Sequence, residues 1–476
     1  FPVPTPSLCP EERQRRRLAF RNERKLYKRR CDATGEQIIS IYSPDKPYKI
    51  YNQKYRRSDA RDPLSYGKEF DFNKTFTENF RELSIQVPRC NVIIQNCENS
   101  NYTNYSADNK DCYLSVSSHR CKNLLFSYRC HDSIDCLDCI DVNHSTDCYQ
   151  SIDCENCNDI SYSRLCNNCS KSLYLENCIW CSFCMFCINL NNNTYYILNK
   201  QYDKEQYIAI SKEIKRDKIL FEKYYKEYIL LRQNTVISAT NIIESENCIG
   251  NFLHNCNHGR NIFYMQNTSY TRYSYDWRNV KTSWDTTNPD DLEWCYENAS
   301  SINNYNTLFS YHIGRSSNLY YCDFTMNSND CFCCISLNRK SYCIFNKQYT
   351  KEEYETQVAK IIAHMQNTGE RWEFFHPSLS PFGYNETVAQ EYFSFDQLES
   401  ERIWYSRSHY SSDPKIPEWI QTFCGDEIAS DITTVSDDII KKVLICEISQ
   451  RPYMIQKAEL EFYRKHNLPI PRRHPD

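Results

Sequence analysis

Small or apolar residues recur at every third position between Cys97 and Cys187, beginning Cys97, Ser100, Thr103, Ser106, Asn109, Cys112, Ser115, Ser118 and Cys121. The spacing runs on through Leu124, Ser127, Cys130, Ser133, Cys136, Cys139 and Val142 to Cys178, Cys181, Cys184 and Cys187. Strand alternation has a period of two, so a period of three predicts very short strands alternating with corners. A second period, of about 18 residues, lies over the triplet and marks a coil length. Cys112, Cys130, Cys148, Cys166 and Cys184 form one such column, and Leu124, Val142 and Ile160 another. Like residues at a fixed coil length are the signature of a solenoid. A bundle of polyproline II segments would need Gly at its contacts, and the chain has only 8 Gly. The pattern therefore predicts a parallel β-solenoid with about 18 residues per coil. Asp and Asn close the triplets, as in Ser133-Ile-Asp135, Cys139-Ile-Asp141 and Cys154-Glu-Asn156, as corners require.

The heptad-like stretch from Lys204 to Arg232 predicts a helix that covers the last coil, since an uncovered coil is an unpaired edge. The unit then repeats. Cys187-Ile-Asn-Leu-Asn and the following Asn199-Lys-Gln-Tyr202 return as Cys334-Ile-Ser-Leu-Asn and Asn346-Lys-Gln-Tyr349. The triplet precedes the second copy too, at Cys295, Thr307, Ser310, Ser316, Cys322, Ser328, Cys331 and Cys334. A helix over Lys351 to Met365 follows it. Near the N-terminus, Gln37 to Tyr42 predicts a strand and Thr75 to Leu83 a helix. The fold class is mainly β: two duplicated parallel β-solenoid lobes, each capped by an α-helix, with small α+β ribbon-like ends. The segments are 1–89, a basic helix and ribbon-derived region; 90–202, the first Cys/Ser-rich lobe; and 203–244, a capping helix and linker. The second lobe and its helix occupy 245–366, and a C-terminal region with a degenerate zinc-ribbon-like end occupies 367–476.

The 28 cysteines sit mostly on the triplet, where Ser or Thr often replaces them. Such positions ask for a small, packable side chain rather than a covalent partner, which predicts free thiols and a cytoplasmic location. Net charge is −4 over 476 residues, so global electrostatics name no partner. No apolar run reaches the roughly 18 residues of a membrane span. The start at Phe1 reads as that of a fragment or a processed form, so a missing leader weighs little.

One basic run stands out: Arg13, Arg15, Arg16, Arg17, Arg21, Arg24, Lys25, Lys28, Arg29 and Arg30. Read as a short basic helix, it makes RNA or DNA a candidate partner through phosphate contacts. The competing reading is a helix packed on its own domain. Four successive thiols, Cys178, Cys181, Cys184 and Cys187, are candidate ligands for zinc or an iron–sulfur cluster, against core packing as the plainer reading. The triplet itself generates Cys-x-x-Cys, which lowers the weight of that motif. No His-Glu-x-x-His motif and no nucleophile elbow occur, so no catalytic residue is assigned. The leading reading is a non-enzymatic binding or scaffold protein of unknown ligand and unknown protein partners, without a cofactor. The alternative is a thiol-rich metal-binding or redox protein.

The two ends look alike. Cys446-Glu-Ile-Ser449 is similar to Cys31-Asp-Ala-Thr34, and Leu468-Pro-Ile-Pro to Phe1-Pro-Val-Pro. Both read as decayed zinc ribbons lacking the four ligands a structural site needs. The Arg21-Asn-Glu-Arg-Lys-Leu-Tyr27 stretch, Cys31-Asp-Ala-Thr-Gly35, the Asn-Lys-Gln-Tyr motifs and Ser380-Pro-Phe-Gly-Tyr-Asn-Glu-Thr387 resemble a family of uncharacterised Cys-rich proteins from small-genome, uncultured bacteria of the candidate phyla. The resemblance covers most of the chain and implies zinc-ribbon-like ends but no activity. Some members carry a CaiB/BaiF label. Scarce Gly and the internal repeats give that CoA-transferase reading no support.

Overall fold

A computed structural model describes residues 5–475 apart from 59, 101, 291–295, 372, 412–415 and 429–430. Phe1 and Cys295 of the motifs above therefore lie outside the described residues. Strand (32%) exceeds helix (25%), and most strands lie in two large, mainly parallel sheets. The chain divides into two compact units. One joins residues 1–92 to 238–410, the other 93–237 to 411–476.

In the second of these units, the register steps by twelve residues. Lys122 pairs in parallel with Ile134, Ile134 with Thr146, Thr146 with Asn158, Asn158 with Ser170, Ser170 with Ser182, and Ser182 with Thr194. In the other unit Arg260 pairs with Arg272 and Arg272 with Trp284. Further along, Tyr305, Ser317, Asn329 and Ser341 pair in the same steps. The expected coil of about 18 residues is thus corrected to a rung of twelve. The columns of Cys at the longer spacing do not stack directly. Inward positions accept Cys or Ser alike, so their identity does not track the rung.

From Asn96 to Leu198 every third residue has a left-handed backbone, including Asp135 (φ 54), Asp141 (φ 54), Asp153 (φ 53) and Asn156 (φ 54). Such a conformation costs an ordinary L-residue roughly 1–2 kcal/mol and is easiest for Asn and Asp. That preference puts those two residues at triplet ends. Bulkier residues, such as Leu114 and Trp180, take it too.

The hydrogen bonds explain the small inward residues. Between rungs, Glu98 N–H donates to Asn109 O (2.9 Å) and Asp111 N–H to Glu98 O (3.0 Å). The inward residue of the triplet turns its own N–H into the core. At many of these positions its acceptor is a Ser or Asn side chain twelve residues earlier. Cys112 N–H donates to Ser100 Oγ (3.2 Å), Cys121 to Asn109 Oδ1 (3.0 Å), Cys139 to Ser127 Oγ (3.1 Å) and Cys157 to Ser145 Oγ (3.0 Å). The inward hydroxyls and thiols also donate, for example Ser115 Oγ to Leu124 O (2.9 Å) and Cys121 Sγ to Cys130 O (3.3 Å). A small inward side chain with a donor and an acceptor at its γ atom satisfies both bonds, while Leu124, Val142 and Ile160 fill other inward positions with apolar packing. Ser and Cys both qualify.

The Asn-Lys-Gln-Tyr motif closes each large sheet. Leu198 and Asn199 are both left-handed, and the chain reverses into an antiparallel pair of Thr194–Ile197 with Lys200–Gln201. Such a turn matches strand twist. Asn199 Oδ1 accepts from Ile188 N–H (2.9 Å) and its Nδ2 donates to Ile188 O (2.8 Å). Asn346 repeats both bonds on Ile335, at 2.8 and 2.8 Å. The amide side chain stands in for the next strand.

A helix follows each time. Lys204–Arg216 is capped by Asp203. Lys351–Asn367 is capped by Thr350 and Glu353 in a reciprocal pair. The helix expected from Lys204 to Arg232 is two, Lys204–Arg216 and Lys218–Asn234, because Asp217 ends the first and accepts from Ile219 N–H and Leu220 N–H to start the second. They cover the outward apolar residues Leu173, Met185 and Ile197 with Tyr207, Ile214 and Tyr228. Earlier in the same column, Tyr113, Leu125, Leu137 and Tyr149 are covered by Ile428, Leu444, Leu460 and Tyr463.

Candidate functional site

The basic run is not one helix. Pro10–Leu18 is helical, and Tyr27–Arg30 is a strand. Pro at the first helical turn and Glu11 and Glu12 beside it suit a helix start. This helix lies on corner residues twelve apart in the sheet, Tyr273, Asp285 and Glu297. Arg13 Nη2 meets Asp285 Oδ1 at 3.0 Å, with its guanidinium over the Tyr273 ring. Arg17 Nη1 lies 3.6 Å from the same oxygen. Arg16 grips Glu297 with two bonds (2.5 and 3.2 Å) and reaches Glu373 at 3.1 Å. Helical spacing of three and four residues thus matches the spacing of rungs. Arg17 is fully buried, and burial pulls its guanidinium below its usual pKa, while burial pushes the Glu297 carboxyl up.

The remaining basic residues are divided. Arg15 pairs with Glu12 and stacks on Phe395, Arg21 is buried against Glu23, and Arg24 meets Glu391 at 3.8 Å. Arg29 pairs with Asp32 at 3.3 Å and Arg30 donates to Gly35 O. Lys25, Lys28 and Arg30 are exposed. Of the candidate phosphate-binding residues, Arg13, Arg16, Arg17 and Arg21 point into the protein and are committed to carboxylates.

Cys178, Cys181, Cys184 and Cys187 are consecutive inward residues, each without exposed surface. Their thiols donate to carbonyls: Cys178 to Glu176 O (3.4 Å), Cys181 to Ile179 O (3.3 Å), Cys184 to Ser182 O (3.3 Å) and Cys187 to Met185 O (3.2 Å). Cys181 also lies among the thiols of Cys169, Cys178 and Cys184, whose hydrogen bonds pull its pKa down. Among the described residues, no group of three or more His, Cys, Asp or Glu is placed to hold a metal ion. At Cys112 and Cys121 burial dominates, pushing the thiols up to about 11 and about 12. Every cysteine among the described residues is free.

The C-terminal helix, Lys457–His466, uses the same device as the N-terminal one. Lys465 bridges Asp135 (3.5 Å) and Asp147, while His466 lies 3.4 Å from Asp147 and 4.0 Å from Asp159. These three acids are again corners twelve apart. Glu459 of this helix is buried and accepts from Tyr463 Oη (2.8 Å). Burial pushes Glu459 up to about 7, with Asp138 adding to the rise, and burial likewise takes Asp138 to about 7.

The two similar ends form matching hairpins. Burial pushes the Cys446 thiol up, yet hydrogen bonds from the Ser449 side chain and from backbone N–H groups of His474, Ser449 and Ile448 outweigh it and bring it to about 6. Cys31 is likewise lowered against burial, by Thr34, Asn52 and Ala33. Asn52 N–H donates to Cys31 Sγ at 3.3 Å and Ser449 N–H to Cys446 Sγ at 3.4 Å. A buried pair that the sequence did not announce is Arg89 with Asp323, 2.7 Å apart. Its only advance signal was Asp323 at an outward position of a covered rung. No protein-family model matches the chain, and comparison with curated proteins gives no match.

Proposed function

We propose that the protein is a non-enzymatic scaffold of two duplicated β-solenoid lobes with twelve-residue coils, whose charged corner columns hold helices. One observation carries the reading. Two helices from opposite ends of the chain dock in the same way, Arg13, Arg16 and Arg17 on Asp285 and Glu297, and Lys465 and His466 on Asp135, Asp147 and Asp159. Corners that repeat every rung offer charge at a spacing of about 4.8 Å, which a helix with basic residues three and four apart can meet. Partner proteins are held on columns the chain itself leaves uncovered. The exposed Ile140 and Ile152, stacked in register beside Asp141 and Asp153, form such a face. Free, buried thiols fit a reducing compartment, so we place the protein in the cytoplasm of a bacterium, in the Cys-rich family it resembles. The reading assigns no nucleic acid to the N-terminal helix and no metal to the thiols.

The test is to compare wild type with an Ile140→Lys/Ile152→Lys variant of matched thermal stability in affinity capture from bacterial extract. The reading expects a stoichiometric protein partner on wild type that is lost from the variant. Equal capture by both would sink it.

A further inference from the structure

Two guanidinium groups of the N-terminal region gather on a single residue, Ser336, with no ion-pair partner among the described residues. Arg56 Nη2 donates to Ser336 Oγ (3.2 Å) and to Phe324 O (3.4 Å), and its guanidinium lies 5.4 Å from the centre of the Phe324 ring. Arg61 Nη2 donates to Ser336 O (3.4 Å). Neither arginine forms an ion pair among the described residues, and the Nε atoms of both are buried with no hydrogen-bond partner. Elsewhere the chain behaves differently: the buried arginines Arg13, Arg16, Arg17 and Arg89 all face carboxylates. Burial, and then Arg56 itself, lower Arg61 to about 10, with the phenols of Tyr66 and Tyr51 acting in the opposite sense. A half-buried pair of like charges is costly unless a counter-charge joins it.

We propose that Arg56 and Arg61 form a binding site for a phosphate group. Each guanidinium spends Nη2 on the protein, which fixes its plane and leaves Nη1 for a ligand. Two guanidinium groups held on the same residue suit a tetrahedral dianion, because its oxygens can accept from both at once and its charge cancels both. A carboxylate would neutralise only one. Tyr51 and Tyr66, alongside Arg61, are further hydroxyl donors.

The experiment titrates the full chain with inorganic phosphate by calorimetry, at constant ionic strength set with chloride. A second arm uses glycerol phosphate, a monoester. Saturable binding of one phosphate per chain is expected, weakened at least tenfold in Arg61→Gln and unchanged in Lys212→Gln, a distant exposed lysine. Tighter binding of the monoester would point to a phosphorylated ligand, and equal or weaker binding to the free ion. Arg61→Lys, which keeps the charge but not the fork, guards against a folding defect and should fall between wild type and Arg61→Gln. No saturable heat with wild type, or equal affinity in Arg61→Gln, would overturn the proposal.

Discussion

Replacing Ser145 separates two accounts of why the inward positions are Ser or Cys. Ser145 is 1% exposed. Its Oγ accepts from Cys157 N–H (3.0 Å) and donates to Asn143 O (2.7 Å). Ser145→Ala removes both bonds and adds no bulk. It leaves the buried Cys157 N–H without an acceptor, an orphan that costs about 1–3 kcal/mol, while Asn143 O keeps its bond from Asn156 N–H. Ser145→Cys keeps a γ atom that donates and accepts, so its cost should stay below about 1.5 kcal/mol, the range of volume-conserving swaps. If smallness alone mattered, Ala would be the better replacement. Urea unfolding of wild type and both variants gives the free energies, and hydrogen exchange at the Cys157 amide reads the bond itself. The expected order is Ser, then Cys, then Ala, with the Cys157 amide losing most protection in Ala. Ala matching or exceeding Cys in stability would refute the reasoning.

Two further outcomes follow from the docked helices. Glu459 has its folded pKa raised from 4.5 to about 7, so its contribution to stability is present below its unfolded pKa and is lost as pH rises through 7. That amounts to about 3 kcal/mol for the one group. Thermal midpoints should therefore fall from pH 5 to pH 8, and Glu459→Gln should flatten the profile. An unchanged profile in that variant would contradict the assignment. Asp285→Ala leaves Arg17 fully buried with its nearest acid gone, so a loss of about 3–5 kcal/mol is expected, accompanied by faster hydrogen exchange across Pro10–Leu18. A loss under 1 kcal/mol would mean that the helix does not depend on that corner.

The triplet, the corner residues and the recurrence of the Asn-Lys-Gln-Tyr motif were legible in the sequence, because each rests on a local preference. Asp and Asn tolerate the left-handed backbone, and Asn199 and Asn346 serve a bond that only an amide makes in both directions. Rung length was not legible from the inward residues. Cys and Ser satisfy the same N–H there, so Cys112 and Cys130 look alike without being stacked. The outward residues held the answer: Tyr113, Leu125, Leu137 and Tyr149 step by twelve because one face must be apolar to take a cover. The partners of the basic run were hidden for a related reason. Arg13, Arg16 and Arg17 have the composition of a phosphate-binding helix, and the acids that claim them, Asp285 and Glu297, are far along the chain. Nothing local announces a pairing at that separation. Arg56 and Arg61 escaped notice in a segment without a period.

The most direct test of the twelve-residue coil is a pulsed EPR distance between spin labels on genetically encoded residues at Lys122 and Thr194, both exposed. Those positions belong to one column under either coil length, so only the count of coils differs. Six rungs at about 4.8 Å give a backbone separation of about 29 Å. Coils of the longer period would give four turns and about 19 Å. A distance distribution centred near 29 Å is the expected result, and one centred near 19 Å would contradict the account.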